Sequence, residues 1–138
     1  MNNDYEELEK IRESYRERLS EPSVSTDLHK EYPPLSKIIE VRDFTLRHLH
    51  DFQMSVEWIY EQCGIIEREF AARFKLYFGH YPKSYYVHHR IEVSKLMLTQ
   101  TEALVTEVAL MVGFDTSNFC KAFKRKVGMT PTEWREWR

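Results

Sequence analysis

The sequence predicts an all-α fold in which one two-helix unit occurs twice, joined by a long helix. Three observations carry that expectation. Glycine and proline are scarce, with 4 Gly and 5 Pro in 138 residues, which disfavours a loop-rich or hairpin-rich chain. Apolar residues recur at helical spacing almost without interruption from Leu35 to Arg138. A stretch of the chain also repeats itself. Val56–Gly64 aligns with Val105–Gly113, and the register then holds without a gap. Phe70 falls on Phe119, Phe74-Lys75 on Phe123-Lys124, Gly79 on Gly128, Pro82 on Pro131 and Tyr85 on Trp134, each pair 49 positions apart. The repeated residues are those that end helices or pack them, so the repeat is one of structure.

The elements follow in chain order. Residues 4–19 place Leu8, Ile11, Tyr15 and Leu19 on a narrow stripe among charges, the pattern of an amphipathic helix. Ser20 to Pro34 is rich in Ser, Pro and Thr and ends in Pro33-Pro34, which reads as a linker. A division follows: 1–34 is an N-terminal helix and linker, and 35–138 is the main domain. The separation predicts a weakly attached N-terminal helix with a regulatory or oligomeric role. The chain is expected to be a monomer or a weak dimer through residues 4–19.

Each repeat has a short helix, Val56–Cys63 or Val105–Val112, ending at a glycine that takes a left-handed conformation without steric penalty. A second helix then runs to Gly79 or Gly128. Ile59, Cys63, Phe70 and Phe74 are spaced to pack the first pair, and Val108, Val112, Phe119 and Phe123 the second. Two helices joined by a short glycine turn form a helix-turn-helix, whose second helix fits a DNA major groove. Pro82 and Pro131 stand where the next helix starts and a missing N–H costs nothing. Thr130-Pro-Thr-Glu133 is a capping box. From Tyr85 to Thr101 no breaker occurs, and Val87, Ile91, Ser94 and Leu98 share a face. One long helix there would hold the two units at a fixed separation, about one duplex turn of ~34 Å apart.

Charge and composition narrow the function. The formal net charge is −2, but residues 1–54 hold 8 Lys/Arg against 12 Asp/Glu, while from Phe70 onward the count is 11 against 6. Positive charge thus gathers in the part that holds the repeat. Cys63 and Cys120 form no CxxC or zinc-finger spacing; both read as inert, buried thiols. His48, His50, His88 and His89 lack partners at metal spacing and read as surface histidines, while Trp134 and Trp137 read as packing the last helix. Neither a phosphate-cradling glycine loop nor a nucleophile with a placed base is present. No enzyme and no cofactor are expected. With no long apolar run and an acidic N-terminus, no membrane partner is expected and a cytoplasmic location is the default.

The text of the repeat is similar to the DNA-binding domain of the AraC/XylS family of bacterial transcription regulators. The similarity lies in Gly64-Ile-Ile-Glu-Arg-Glu-Phe-Ala-Ala-Arg-Phe-Lys75, Gly79-His-Tyr-Pro-Lys-Ser-Tyr85 and Arg90-Ile-Glu-Val-Ser-Lys-Leu-Met-Leu98. Glu107-Val-Ala-Leu-Met-Val-Gly-Phe114 and Phe119-Cys-Lys-Ala-Phe-Lys-Arg-Lys-Val-Gly-Met-Thr-Pro131 continue it and are the most specific stretches. The resemblance implies about seven helices in 35–138 and a role as a DNA-binding regulator, usually an activator. Its partner would be double-stranded DNA, with RNA polymerase a candidate second partner. The recognition helices would span about 66–78 and 116–127. The first would present Arg68, Ala71, Ala72 and Lys75 to bases, and the second Thr116, Ser117, Asn118 and Lys121. Lys124, Arg125 and Lys126 would meet phosphates. Tyr60 replaces the usual small residue, Ile66 replaces the usual Ser/Thr cap, and Glu67 and Glu69 bring negative charge, so the second unit is expected to read more sequence than the first. The alternative is an AraC-like protein-interaction module with little or no DNA affinity.

Overall fold

The computed structural model describes residues 4–19, 35–51, 55–64 and 67–137. Among them stand eight helices and no strand: α1 (Asp4–Leu19), α2 (Leu35–Arg47), α3 (Val56–Cys63), α4 (Glu67–Phe78), α5 (Pro82–Gln100), α6 (Val105–Met111), α7 (Thr116–Val127) and α8 (Pro131–Trp137). This is the expected all-α architecture, with seven helices after the N-terminal one. The expected linker, residues 20–34, lies outside the described residues.

Two cores share α5. The first gathers Ile38, Val41, Ile59, Phe70, Phe74 and Tyr85 from α2–α4 and the start of α5. The second gathers Ile91, Met97, Val108, Val112, Phe119 and Phe123 from the rest of α5, α6 with its C-cap, and α7. The four repeat phenylalanines are all fully buried, which fits their inward spacing. α5 starts with Pro82 at its first turn and runs 19 residues, about 28 Å at 1.5 Å per residue. Its surface is buried on several sides because its two halves serve different cores.

The units are held by more than this shared helix. Arg90, near the middle of α5 and 5% exposed, donates from Nε to the Leu49 carbonyl at 2.8 Å and from Nη2 to the Asp51 carbonyl at 2.7 Å. Its guanidinium also lies over the rings of Tyr86 and Phe114. Burial lowers its pKa to about 10, still far above neutrality. Gly113 completes this knot. Its φ is +84°, and a Cβ there would fall 2.5 Å from the Leu49 carbonyl oxygen and 2.7 Å from an Arg90 nitrogen. Only glycine meets both demands. One buried cation therefore ties the turn after α2, the linker helix and the turn of the second unit.

The N-terminal helix is docked, contrary to the loose attachment expected of it. Leu8 is 1% exposed and belongs to the second core, with Ile11 and Tyr15 packed against it. Arg12 donates from Nη1 to the Met111 carbonyl at 3.1 Å, at the end of α6. The Tyr15 hydroxyl is hydrogen-bonded to Nδ1 of His89. Leu8, Ile11 and Tyr15 of the apolar stripe are thus packed inside the chain. His89 is accordingly buried, not a surface histidine, and its pKa is pushed down to about 3 by burial. At the other end, Trp134 packs as expected and donates from Nε1 to the Lys95 carbonyl, whereas Trp137 is 68% exposed. Cys63 is buried, its thiol pKa raised by burial, while Cys120 is only half-buried.

Candidate nucleic-acid interface

The second helix of the second unit, α7, is built for a sharp start. Asp115 stands at its N-cap in extended backbone and accepts from the Asn118 amide at 2.9 Å, satisfying one of the orphan N–H groups of the first turn. The Asn118 side chain in turn donates from Nδ2 to the other Asp115 oxygen at 2.6 Å. Sequence reasoning placed Asn118 among the base readers but missed this clasp, which orients its amide before any ligand arrives. Its signal was the Asp-x-x-Asn spacing at a helix start.

With Phe119 and Phe123 turned into the core, the opposite face of α7 is set by the helical period. Ser117, Asn118 and Lys121 are exposed, and Thr116 is half-buried. Lys124, Arg125 and Lys126 are exposed in the last turn. α7 holds four cations and no acid, and none of the four forms an ion pair among the described residues. The helix closes at Gly128, with φ 91°. Beyond it, the Thr130–Glu133 capping box is made in full: the Glu133 amide donates to the Thr130 hydroxyl at 3.1 Å, and the Thr130 amide to the Glu133 carboxylate at 2.9 Å. These bonds hold the Glu133 carboxyl pKa below its ordinary value.

The second helix of the first unit, α4, has a different surface. Ala72 and Lys75 are exposed, Ala71 is half-buried, and Leu76 is 66% exposed. The Lys75 ammonium sits 4.5 Å from the centre of the Tyr81 ring, a cation–π contact that sequence spacing did not suggest. Arg68 lies in the first turn of α4; its side chain, those of Glu67 and Glu69, and the whole of Ile66 lie outside the described residues. Upstream, Ser55 caps α3 through the Trp58 amide, and Gly64 ends it at φ 65°. Tyr60 is accommodated where the second unit has the fully buried Ala109: its ring meets Phe70 edge-on at 5.4 Å. From Phe70 onward the face offered by α4 is therefore partly apolar, whereas that of α7 is polar and cationic.

A family model described as a helix-turn-helix domain matches residues 59–136, from within α3 to within α8. The chain belongs to the AraC/XylS helix-turn-helix family. Among similar proteins, the "HTH-type transcriptional activator RhaR" of Enterobacter sp. (strain 638) is 41% identical over 76 residues, which is 54% of this chain and 26% of that protein. The "HTH-type transcriptional regulator MtrA" of Neisseria gonorrhoeae is 40% identical over 85 residues, 61% of this chain and 28% of that protein. The chain thus spans about a quarter of the length of these relatives. Two solved structures share the AraC-type architecture. The C-terminal domain of the response regulator yesN from Fusobacterium nucleatum has a TM-score of 0.65 at 28% identity, over 70% of this chain and 94% of that one. The DNA-binding domain of AdpA, a global transcriptional factor solved in complex with a target DNA, has a TM-score of 0.67 at 28% identity, over 72% of this chain and 90% of that one. No helix among the described residues is long and apolar enough to cross a membrane.

Proposed function

We propose that this AraC/XylS-family chain is a sequence-specific transcription regulator, an activator, that inserts α4 and α7 into successive major grooves of double-stranded DNA. The observation that carries the reading is α7: a capped helix with a polar first turn, an exposed cationic face and no acid within the helix. The DNA complex of AdpA supports it by likeness. Residues 35–138 form the reading domain and 1–34 an accessory element. In the second unit Thr116, Ser117, Asn118 and Lys121 face bases, with Asn118 suited to adenine and Lys121 to guanine. Lys124, Arg125 and Lys126 lie further along and neutralise phosphates, adding affinity without sequence choice. In the first unit Arg68 and Lys75 supply the polar contacts, while Ala71 and Ala72 allow close approach to a thymine methyl.

Titration of duplexes at several salt concentrations tests this, after selecting bound sequences from a random pool. Each neutralised phosphate contributes about −0.9 to the slope of log K against log salt. With the three C-terminal cations of α7 engaged, the slope should reach about −3 or steeper, and selected DNA should outcompete scrambled DNA. A flat salt dependence with no enriched sequence would favour the protein-interaction reading instead.

A further inference from the structure

Where α1 crosses α6, the packing leaves a half-open cavity of about 300 Å³, at the small end of the range for small-molecule sites. Three parts of the chain wall it: Tyr5, Leu8 and Arg12 from α1, His50 from the turn after α2, and Glu107, Leu110 and Met111 from α6. Leu8 and Met111 form an apolar floor, and the rim carries Leu110 and Tyr5, 58% and 60% exposed. Arg12 supplies the cation, its side chain 12% exposed and only loosely paired with Glu9 at 3.6 Å. One of its terminal nitrogens is spent on the Met111 carbonyl and sulfur. Its other N–H groups make no hydrogen bond among the described residues. His50 stands at the cavity's edge, where partial desolvation and then the nearby Arg12 charge lower its imidazole pKa.

We propose that this cavity binds a small monocarboxylate with an apolar body. The carboxylate meets Arg12 with His50 beside it, and the body lies on Leu8, Leu110, Met111 and the Tyr5 ring. Glu107, whose carboxylate accepts from the Leu104 amide at 3.3 Å, gives the α6 wall a negative charge that turns away a second carboxylate. The three walls meet only while α1 is docked, so the ligand stabilises the docked state by mass action. Arg12 then links occupancy to Met111, the last residue of α6, two positions before the Gly113 turn that leads to α7. The site is an effector site distinct from the recognition helices, and its test needs no DNA.

The test is calorimetric titration of the full chain with 3-phenylpropionate, with thermal denaturation alongside. One saturable site is expected, with a rise in the unfolding temperature. The neutral 3-phenylpropionamide and the dianion phenylsuccinate should each bind at least tenfold more weakly. Arg12→Leu removes the cation, and Leu110→Trp fills the mouth from an exposed position while leaving Arg12 in place; each should weaken 3-phenylpropionate at least tenfold. Absence of saturable binding overturns the proposal. So does equal binding of the amide or the dianion, or affinity unchanged in Leu110→Trp.

Discussion

The two helix-turn-helix units share a skeleton and differ in their surfaces. Each has a short helix closed by a glycine at positive φ or a turn leading to one, and a second helix pinned by two buried phenylalanines four residues apart. Yet α7 begins with an Asp115 cap and carries four cations that form no ion pair among the described residues, while the sequence of α4 mixes Glu67 and Glu69 with Arg68, Arg73 and Lys75 and exposes Leu76. Tyr60 fills, against Phe70, the place that Ala109 leaves small in the second unit. The same buried phenylalanines and glycine turns thus serve both units, and the charge of the outer face varies independently of them. Removing a core phenylalanine should therefore harm both units alike: Phe74→Ala and Phe123→Ala are each expected to cost about 3–5 kcal/mol in chemical denaturation. A cost below about 1 kcal/mol for either would show that its unit is not packed as described.

A second contrast lies on α5, where Tyr15 of α1 covers His89 but leaves its neighbour His88 only half-buried. Burial holds His89 neutral, its pKa at about 3, against about 6.5 in the unfolded chain. Between those values the unfolded chain binds a proton that the folded chain refuses. Stability is thus full above pH 6.5 and falls on acidification, by roughly 1.4 kcal/mol per unit, or about 2 kcal/mol between pH 6.5 and 5. His89→Asn should flatten that slope in urea titrations at several pH values. An unchanged slope would place the acid sensitivity elsewhere.

The motif was legible in the sequence because helical period, glycine stops and prolines are local signals, and because a second copy of each confirmed the first. The Thr130–Glu133 box and the inward phenylalanines needed nothing more. What stayed hidden is tertiary. The stripe Leu8, Ile11, Tyr15 announces an amphipathic helix but not the surface that receives it, so its docking on α5 and α6 was missed. Arg90 gives no local sign that it will donate to carbonyls 41 and 39 positions away, and His89 beside it looked like any helix-surface histidine. The candidate base readers came from family position alone, and periodicity could only say which of them face outward.

The caps offer a smaller test of the same difference. Asp115→Ala removes the carboxylate that holds both the amide and the side chain of Asn118, and should cost about 1 kcal/mol of stability. Its larger consequence should fall on sequence preference, since Asn118 would lose its orientation. A variant with unchanged stability and unchanged preference would show that the clasp has no part in recognition.

The central claim is that the second unit supplies more of the base discrimination. Parallel duplex titrations of Asn118→Ala and Arg68→Ala, on selected and scrambled DNA at fixed salt, address it directly. Asn118→Ala is expected to relax preference at one base position, at a cost of roughly 1–3 kcal/mol, and Arg68→Ala to cost less. If Arg68→Ala abolishes discrimination while Asn118→Ala leaves it intact, the first unit does the reading and the assignment is reversed.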